Sequence, residues 1–223
     1  MGFYVSPEGN AVAEYPDDMV EDARARLAAL LERREAGEFV DQHEIDDAKS
    51  LADWTDAPPD RIAAHHVAMA RSLWFAGAPD PVDAEAYTAW IQARALALSA
   101  VTEAELPYAK STVLRDLANL RWRREVAGTL ADGMAIPTDA TAQSKFAGAV
   151  MAAMLDPAYV VTWKLADGNF VTLGHDQIVT IAQAVRAHVQ GCFDHEATLS
   201  AQVEAAATPA ALSAIDIEAG WPA

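Results

Sequence analysis

Two β-rich runs, Tyr159-Val160-Val161-Thr162-Trp163-Lys164 and Asn169-Phe170-Val171-Thr172-Leu173, flank Asp167-Gly168. Asp-Gly between such runs is a strong hairpin signal, because both residues tolerate the positive φ of a tight turn. A long helical pattern follows at once, from about His175 to Ala206. Its apolar stripe is Ile178, Ile181, Val185, Val189, Cys192, Leu199 and Val203, at i, i+3 and i+4 spacing. A hairpin packed on a long helix is an α+β arrangement, and hairpin loops make the sheet antiparallel.

The flanking segments extend this reading. Upstream, Thr138 or Asp139 caps a helix expected to bury Phe146, Val150 and Met154, and Asp156-Pro157 stops it. Gly133-Met134-Ala135-Ile136-Pro137 reads as a short extended segment. A helix carrying Val113, Leu114, Leu117 and Leu120 runs from Pro107 into a basic cluster, Arg121, Arg123 and Arg124 around Trp122. Downstream, Thr208-Pro209 opens a short helical turn, and Ile215 to Pro222 is an irregular tail.

The N-terminal half reads as mostly helical. Phe3-Tyr4-Val5 and Ala11-Val12-Ala13 flank the turn formers Ser6-Pro7-Glu8-Gly9-Asn10, which predicts a hairpin. Asp18 and Glu21 have capping-box spacing ahead of a helix with Val20, Ala23, Leu27, Leu30 and Leu31, ended by Gly37. Glu38-Phe39-Val40 is expected to return as a strand, and residues 41–58 as an acidic connector closed by Pro58-Pro59. A second helix is predicted over Pro59–Phe75, with Ile62, His66, Met69 and Leu73 on one face. A third is predicted to start with Asp80 as N-cap and Pro81 at its first position, with Tyr87, Trp90, Ile91, Leu98 and Val101 along it. The expected organisation is a hairpin–helix segment over 1–50, a helical middle over 51–116 and an α+β domain over 117–223.

Composition bounds the chemistry. The chain has 223 residues, 52% of them hydrophobic, and a formal net charge of −17. Alanine supplies much of the apolar fraction, so closely packed thin helices are expected rather than a core of large side chains. A surface this negative repels phosphate backbones and disfavours nucleic acid as a partner. The arginine cluster reads instead as cations complementing the C-terminal end of a helix. A single cysteine, Cys192, excludes an internal disulfide. Met1–Asn10 has neither the basic start nor the apolar run of a signal peptide, and the apolar stretches fall short of the ~18–20 residues of a membrane span. A soluble chain made in a cytoplasm is expected, with no membrane partner.

His188, Cys192 and His195 lie at i, i+4 and i+7 on one helix and are competent zinc or copper ligands. Their spacing matches no standard site and Cys192 falls on the apolar stripe, so a buried thiol between flanking histidines is the preferred reading. Asp41, His43, Glu44, Asp46 and Asp47 form an acidic run without the glycine and spaced oxygens of a calcium loop. His65 and His66 diverge by about 100° on a helix, with His66 on the apolar side. His175-Asp176 opens a helix with no nucleophile marked beside it. No phosphate loop, nucleophile elbow or paired-cysteine motif is present. No catalytic, cofactor-binding or metal residue is assigned and no cofactor is expected. The six tryptophans, Trp54, Trp74, Trp90, Trp122, Trp163 and Trp221, read as core anchors or as interface residues.

Ordered motifs over the C-terminal half resemble a domain of unknown function found in phage and prophage proteins, commonly encoded near tail fibre genes. They are Arg121-Trp-Arg-Arg-Glu125, Ile136-Pro-Thr-Asp139, Trp163-Lys164, Asp167-Gly-Asn-Phe-Val-Thr-Leu173, Ala187-His-Val-Gln-Gly-Cys-Phe193, Ala207-Thr208 and Ile215-Asp-Ile-Glu-Ala-Gly-Trp-Pro222. The resemblance runs from about Leu117 to Pro222. The N-terminus, Gly2-Phe-Tyr-Val-Ser6 through Leu30-Leu31 to Gly37-Glu-Phe-Val40, is similar to the start of tail fibre assembly proteins. Residues 53–105 carry no such resemblance. The likeness implies a non-catalytic protein that helps tail fibres fold or mature, active in the host cytoplasm, with tail fibre or other tail proteins as partners and self-association allowed. A structural component of the virion tail fibre or baseplate is the alternative, and a metal-dependent enzyme using His188, Cys192 and His195 is the third.

Overall fold

Helices carry most of the chain and small antiparallel sheets attach to them, so the fold is α+β, as predicted. The computed structural model describes residues 1–80, 82–165 and 168–222. Contacts divide the chain into two units, Met1–Trp74 with Gln92–Ala97, and Phe75–Ile91 with Leu98–Ala223.

In the first unit, β1 (Gly2–Val5) and β2 (Val12–Tyr15) form the predicted hairpin, with Phe3 opposite Glu14 and Val5 opposite Val12. The Ser6 hydroxyl donates to Asn10 Oδ1 at 2.8 Å, and the Gly9 N–H, at φ +71°, donates to the Ser6 carbonyl at 2.8 Å. The third strand is not Glu38-Phe39-Val40 but β3 (Thr55–Asp56), on the other side of β1. At Gly37 the chain turns back on the preceding helix. The Glu38 N–H donates to the Arg33 carbonyl at 3.0 Å, and Arg33 Nε holds the Glu38 carboxylate at 2.8 Å. Val40 packs against Leu30, Ile45 and Ala48, so this segment is committed to helix packing rather than to a ladder.

Helix α1 (Asp17–Glu35) starts two residues earlier than the capping box at Asp18 and Glu21 requires. Pro16 takes the cap position and offers only its carbonyl, 3.0 Å from the Met19 N–H; no side-chain cap forms. Asp18 then falls in the first turn, where its charge favours the positive end of the helix dipole. Of the predicted stripe, Val20 and Leu30 are buried while Leu31 is exposed.

The acidic connector is in fact a helix, α2 (Gln42–Ala52). Asp41 caps it by accepting the His43 N–H at 2.9 Å, and Ile45, Ala48 and Ala52 form its buried stripe against α1. Arg24 of α1 donates to the Ala52 carbonyl at 3.2 Å and the Trp54 carbonyl at 2.6 Å, covering the negative end of α2. Only three residues of α2 are buried, and four of the other eight are charged, so its periodicity is hard to see in sequence. Helix α3 (Pro59–Ala76) has the predicted extent but a different face. Ala70 and Trp74 are buried, whereas Met69 is 59% and Leu73 43% exposed. The helix is turned by about one residue, 100°, which gives the interior to the indole, the larger apolar group.

In the second unit, the third predicted helix starts late. Asp80 accepts the Val82 N–H at 3.0 Å in a local turn, and Asp83 caps α4 (Ala84–Ser99) by accepting the Ala86 N–H at 3.0 Å. Pro81 lies outside the described residues. Thr102 and Glu105 form a capping box at a single 3-10 turn, and α5 (Leu106–Val126) follows with Pro107 in its first turn. The segment from Gly133 belongs to a second hairpin, β4 (Thr129–Ala131) with β5 (Met134–Ile136). Asp132 at φ +50° and Gly133 at φ +73° make its two-residue turn, the type I′ geometry that matches strand twist. This Asp132-Gly133 pair is itself a hairpin signal in the sequence.

Helix α6 (Ala140–Leu155) is capped by Asp139, which accepts the Thr141 and Ala142 N–H groups at 2.9 and 3.1 Å. It buries Phe146, Ala149 and Ala153; Met154, expected inside, is 75% exposed. Strands β6 (Val161–Lys164) and β7 (Phe170–Leu173) form the hairpin read first, with Trp163 opposite Val171. Leu165 and Asn169 close its turn at 2.8 Å; Asp167 lies outside the described residues. Helix α7 (His175–Ala205) then packs Ile178, Ile181 and Val185 against Phe146, Ala149, Ala153, Trp163, Leu173 and Ile136. Its C-terminal half runs along α5, burying Cys192, Leu199 and Val203. Helix α8 (Pro209–Ser213) and the tail complete the chain, with Ile217 buried. Among the described residues no helix is long and apolar enough to cross a membrane.

Candidate functional site

The basic cluster and the α7 histidines meet in one place. Arg121 pairs with Glu125 and, at 3.1 Å, with Glu196 of α7, and its guanidinium lies 4.4 Å from the centre of the Phe193 ring. Arg123 donates to the Tyr87 hydroxyl at 2.8 Å, and Arg124 lies 3.9 Å from Glu218 of the tail. The arginines are therefore engaged with separate partners rather than gathered into one basic surface.

His188 is buried and its Nε2 is 3.0 Å from the Arg124 carbonyl, so that nitrogen carries the proton and donates. His195 Nε2 does the same to the Ala219 carbonyl at 2.9 Å, while Trp221 packs edge-on against the imidazole, centres 4.7 Å apart. Cys192 Sγ is fully buried, 3.9 Å from His188 Nε2. Each histidine thus presents its Nε2–H to a backbone carbonyl: His188 ties α7 to the end of α5, and His195 ties it to the tail. Glycines make the fit possible. A Cβ at Gly191 would lie 2.9 Å from Pro222 Cγ, and one at Gly220, where φ is +85°, 2.8 Å from His195 Cε1.

Burial pushes the Cys192 thiol up, the Glu125 carboxylate adds to this, and Arg121 and Arg124 oppose it. A thiol that is buried and held protonated is a poor nucleophile. The folded chain is expected to resist an aromatic disulfide reagent at pH 8 and to react at once in guanidinium. Labelling of the native chain within about threefold of the unfolded rate would contradict this placement.

The other sequence candidates are dispersed. Asp41 is the α2 cap, Asp47 pairs with Arg26 at 3.2 Å, and Asp46 accepts from Gln42 at 2.9 Å. His65 and His66 were expected to diverge, with His66 inward. Instead His66 is exposed, and both rings reach Phe3, with centres 6.0 and 4.9 Å from it. His175 Nδ1 lies 2.9 Å from Asp176, both in solvent. Among the described residues no three metal-ligating side chains gather to hold an ion. Trp74, Trp90 and Trp163 are buried, Trp54 and Trp221 partly covered, and Trp122 is exposed.

The feature that stands out was missed in the sequence. Between Phe146 and Leu155, α6 carries no charge, yet Ala147, Gly148, Met151, Met154 and Leu155 face solvent. Ala140, Ser144, Ala147, Met151 and Met154 follow one another at spacings of four and three along that face. Met151 is 67% and Leu155 86% exposed. A Cβ at Gly148 would meet nothing within 4 Å, so a second backbone can approach there. Beside this face a groove of about 510 Å³ runs between α6 and α7, lined by Ala147, Val150, Val179, Ala182, Val189 and Arg186 among others. A helix apolar all round is normally a buried one. The signal available in sequence was the absence of charge; the inward assignment of Met154 concealed it.

Residues 108–219 match the family described as Domain of unknown function (DUF4376). No curated protein and no solved structure matches the chain.

Proposed function

The chain belongs to the DUF4376 family, whose description assigns no activity, and we propose that it is a non-catalytic assembly factor of a bacteriophage tail that works by holding a tail fibre or another tail protein. The observation that carries the binding role is the charge-free exposed face of α6 with its flanking groove. Exposed apolar surface of this kind costs free energy in water and marks protein contact. The alternation of four and three residues is the spacing of a coiled-coil seam, and it commits the occupant to a helix of the partner. The phage assignment leans on the two resemblances, the motifs between Leu117 and Pro222 and the hairpin–helix start. Three of the six tryptophans, Trp74, Trp90 and Trp163, are buried, which leaves fewer for the interface that a virion component would need.

Co-expression with the tail fibre polypeptide encoded beside it tests the reading. The fibre is expected to be soluble and trimeric only when this chain is present. Met151→Glu with Met154→Glu is expected to abolish that help while leaving the melting temperature unchanged, because both side chains are already in solvent. A fibre that trimerises equally well alone would dispose of the assembly role.

A further inference from the structure

A second groove of about 510 Å³ lies on the other side of α6, where its N-terminal half faces the outer edge of β6. Val161, Thr162, Trp163 and Lys164, the whole of β6, line it in succession. Among the described residues β6 pairs only with β7. The 2.8 Å bond from the Leu165 N–H to the Asn169 carbonyl sets the phase of that ladder. Hydrogen-bonded pairs alternate along an antiparallel ladder, so Thr162 and Lys164 turn their backbone N–H and C=O groups outward, into the groove. An open strand edge beside a helix is the geometry that accepts an added strand.

Charge identifies the strand. The chain is strongly acidic, yet Lys145 of α6 and Lys164 of β6 both line this groove and neither has a carboxylate partner among the described residues. Lys164 Nζ lies 5.9 Å from the centre of the Phe170 ring. The acidic side chain in the lining, Asp139, is occupied as the α6 cap by the Thr141 and Ala142 N–H groups. An edge lysine alone is a common guard against strand pairing. Two lysines across one groove do more, since they repel a basic strand and attract an acidic one.

We infer that the groove between α6 and the outer edge of β6 is a binding site for an extended acidic segment of a partner protein, which adds to β6 as a third strand and places carboxylates against Lys145 and Lys164. This site is separate from the α6 seam and stands whether or not the tail-assembly reading does. Four residues of β6 span about 13 Å, so a short segment suffices.

Fluorescence anisotropy on the full chain tests it, with a dye-labelled octapeptide of alternating glutamate and valine as probe. The acidic peptide is expected to bind, more tightly at low salt. The lysine–valine peptide of equal length is expected not to bind. Lys145→Gln with Lys164→Gln is expected to weaken binding by about tenfold or more. A glutamate–valine peptide N-methylated on alternate residues is expected to lose binding, because it cannot pair with the edge. Equal binding of the basic peptide, unchanged binding by the double variant, or indifference to N-methylation would each overturn the proposal, as would failure of the acidic peptide to bind at all. Thermal melts accompany each variant. Should the double variant unfold, Lys145→Gln alone, on the solvent face of α6, decides the point.

Discussion

Truncating Phe146 to alanine is expected to lower stability by about 3–5 kcal/mol, measured as a shift in the urea midpoint with an unchanged slope. Phe146 is 2% exposed, and its ring stacks on Trp163 with centres 4.0 Å apart and planes 23° from parallel. It joins α6, the β6–β7 hairpin and α7 in one cluster with Ile178, Ile181 and Val185. The alanines around it, Ala149 and Ala153, are too small to close the gap by moving. Domains of this size are stable by only about 5–15 kcal/mol, so the variant approaches the edge of folding at 37 °C. Phe146→Leu retains most of the apolar volume and is expected to lose markedly less. A loss below about 1 kcal/mol for alanine would mean that α6 does not pack as described.

Thr138→Val is expected to be the second most damaging change, at about 2–4 kcal/mol, although it conserves shape. Thr138 is fully buried. Its hydroxyl accepts the Gly128 N–H at 2.9 Å and donates to the Glu125 carbonyl. Valine leaves a buried donor and a buried acceptor unpaired together. The junction has little freedom to adjust, because Gly128 sits at φ +95° and a Cβ there would lie 3.0 Å from the Ile136 carbonyl oxygen. Thr138→Ser keeps the hydroxyl, loses one methyl, and is expected to cost about 1 kcal/mol. If both variants melt together, the hydroxyl bridge is not what matters. The bridge also gives a physical account of the Ile136-Pro-Thr-Asp139 motif: the threonine ties off the end of α5, and the aspartate beside it starts α6.

What sequence reading captured follows from what periodicity encodes. The hairpin at β6–β7, the long α7 and the β1–β2 hairpin carry strong local signals, and they stand where predicted. Helix α2 escaped because only Ile45, Ala48 and Ala52 mark its buried side amid acidic residues. Strand β3 is two residues long and exists only through its pairing with β1, a non-local fact. The face of α3 was misjudged because apolar count favoured Met69 and Leu73, whereas packing rewarded the single indole of Trp74. At the candidate site, the histidines and Cys192 were identified as neighbours, and their reading as a buried thiol between histidines agrees with the Arg124 and Ala219 contacts. The α6 seam was missed for the opposite reason: apolar residues are read as core, and sequence does not say which apolar side is left over. The glycines at 191 and 220 carry no local signal either, since the groups they make room for are far along the chain.

Helix α7 is 31 residues long, about 46 Å at the usual rise. Its first half is built into the hairpin and α6, its second into α5. Gly191 stands near the middle of that rod, and a glycine there is the point at which a helix bends most easily. Pro222 lies across it in the space a side chain would have filled. The tail therefore acts as a splint, bracing the rod where it is weakest. Prising the tail away would soften the link between the two ends of α7 without breaking a single bond within it.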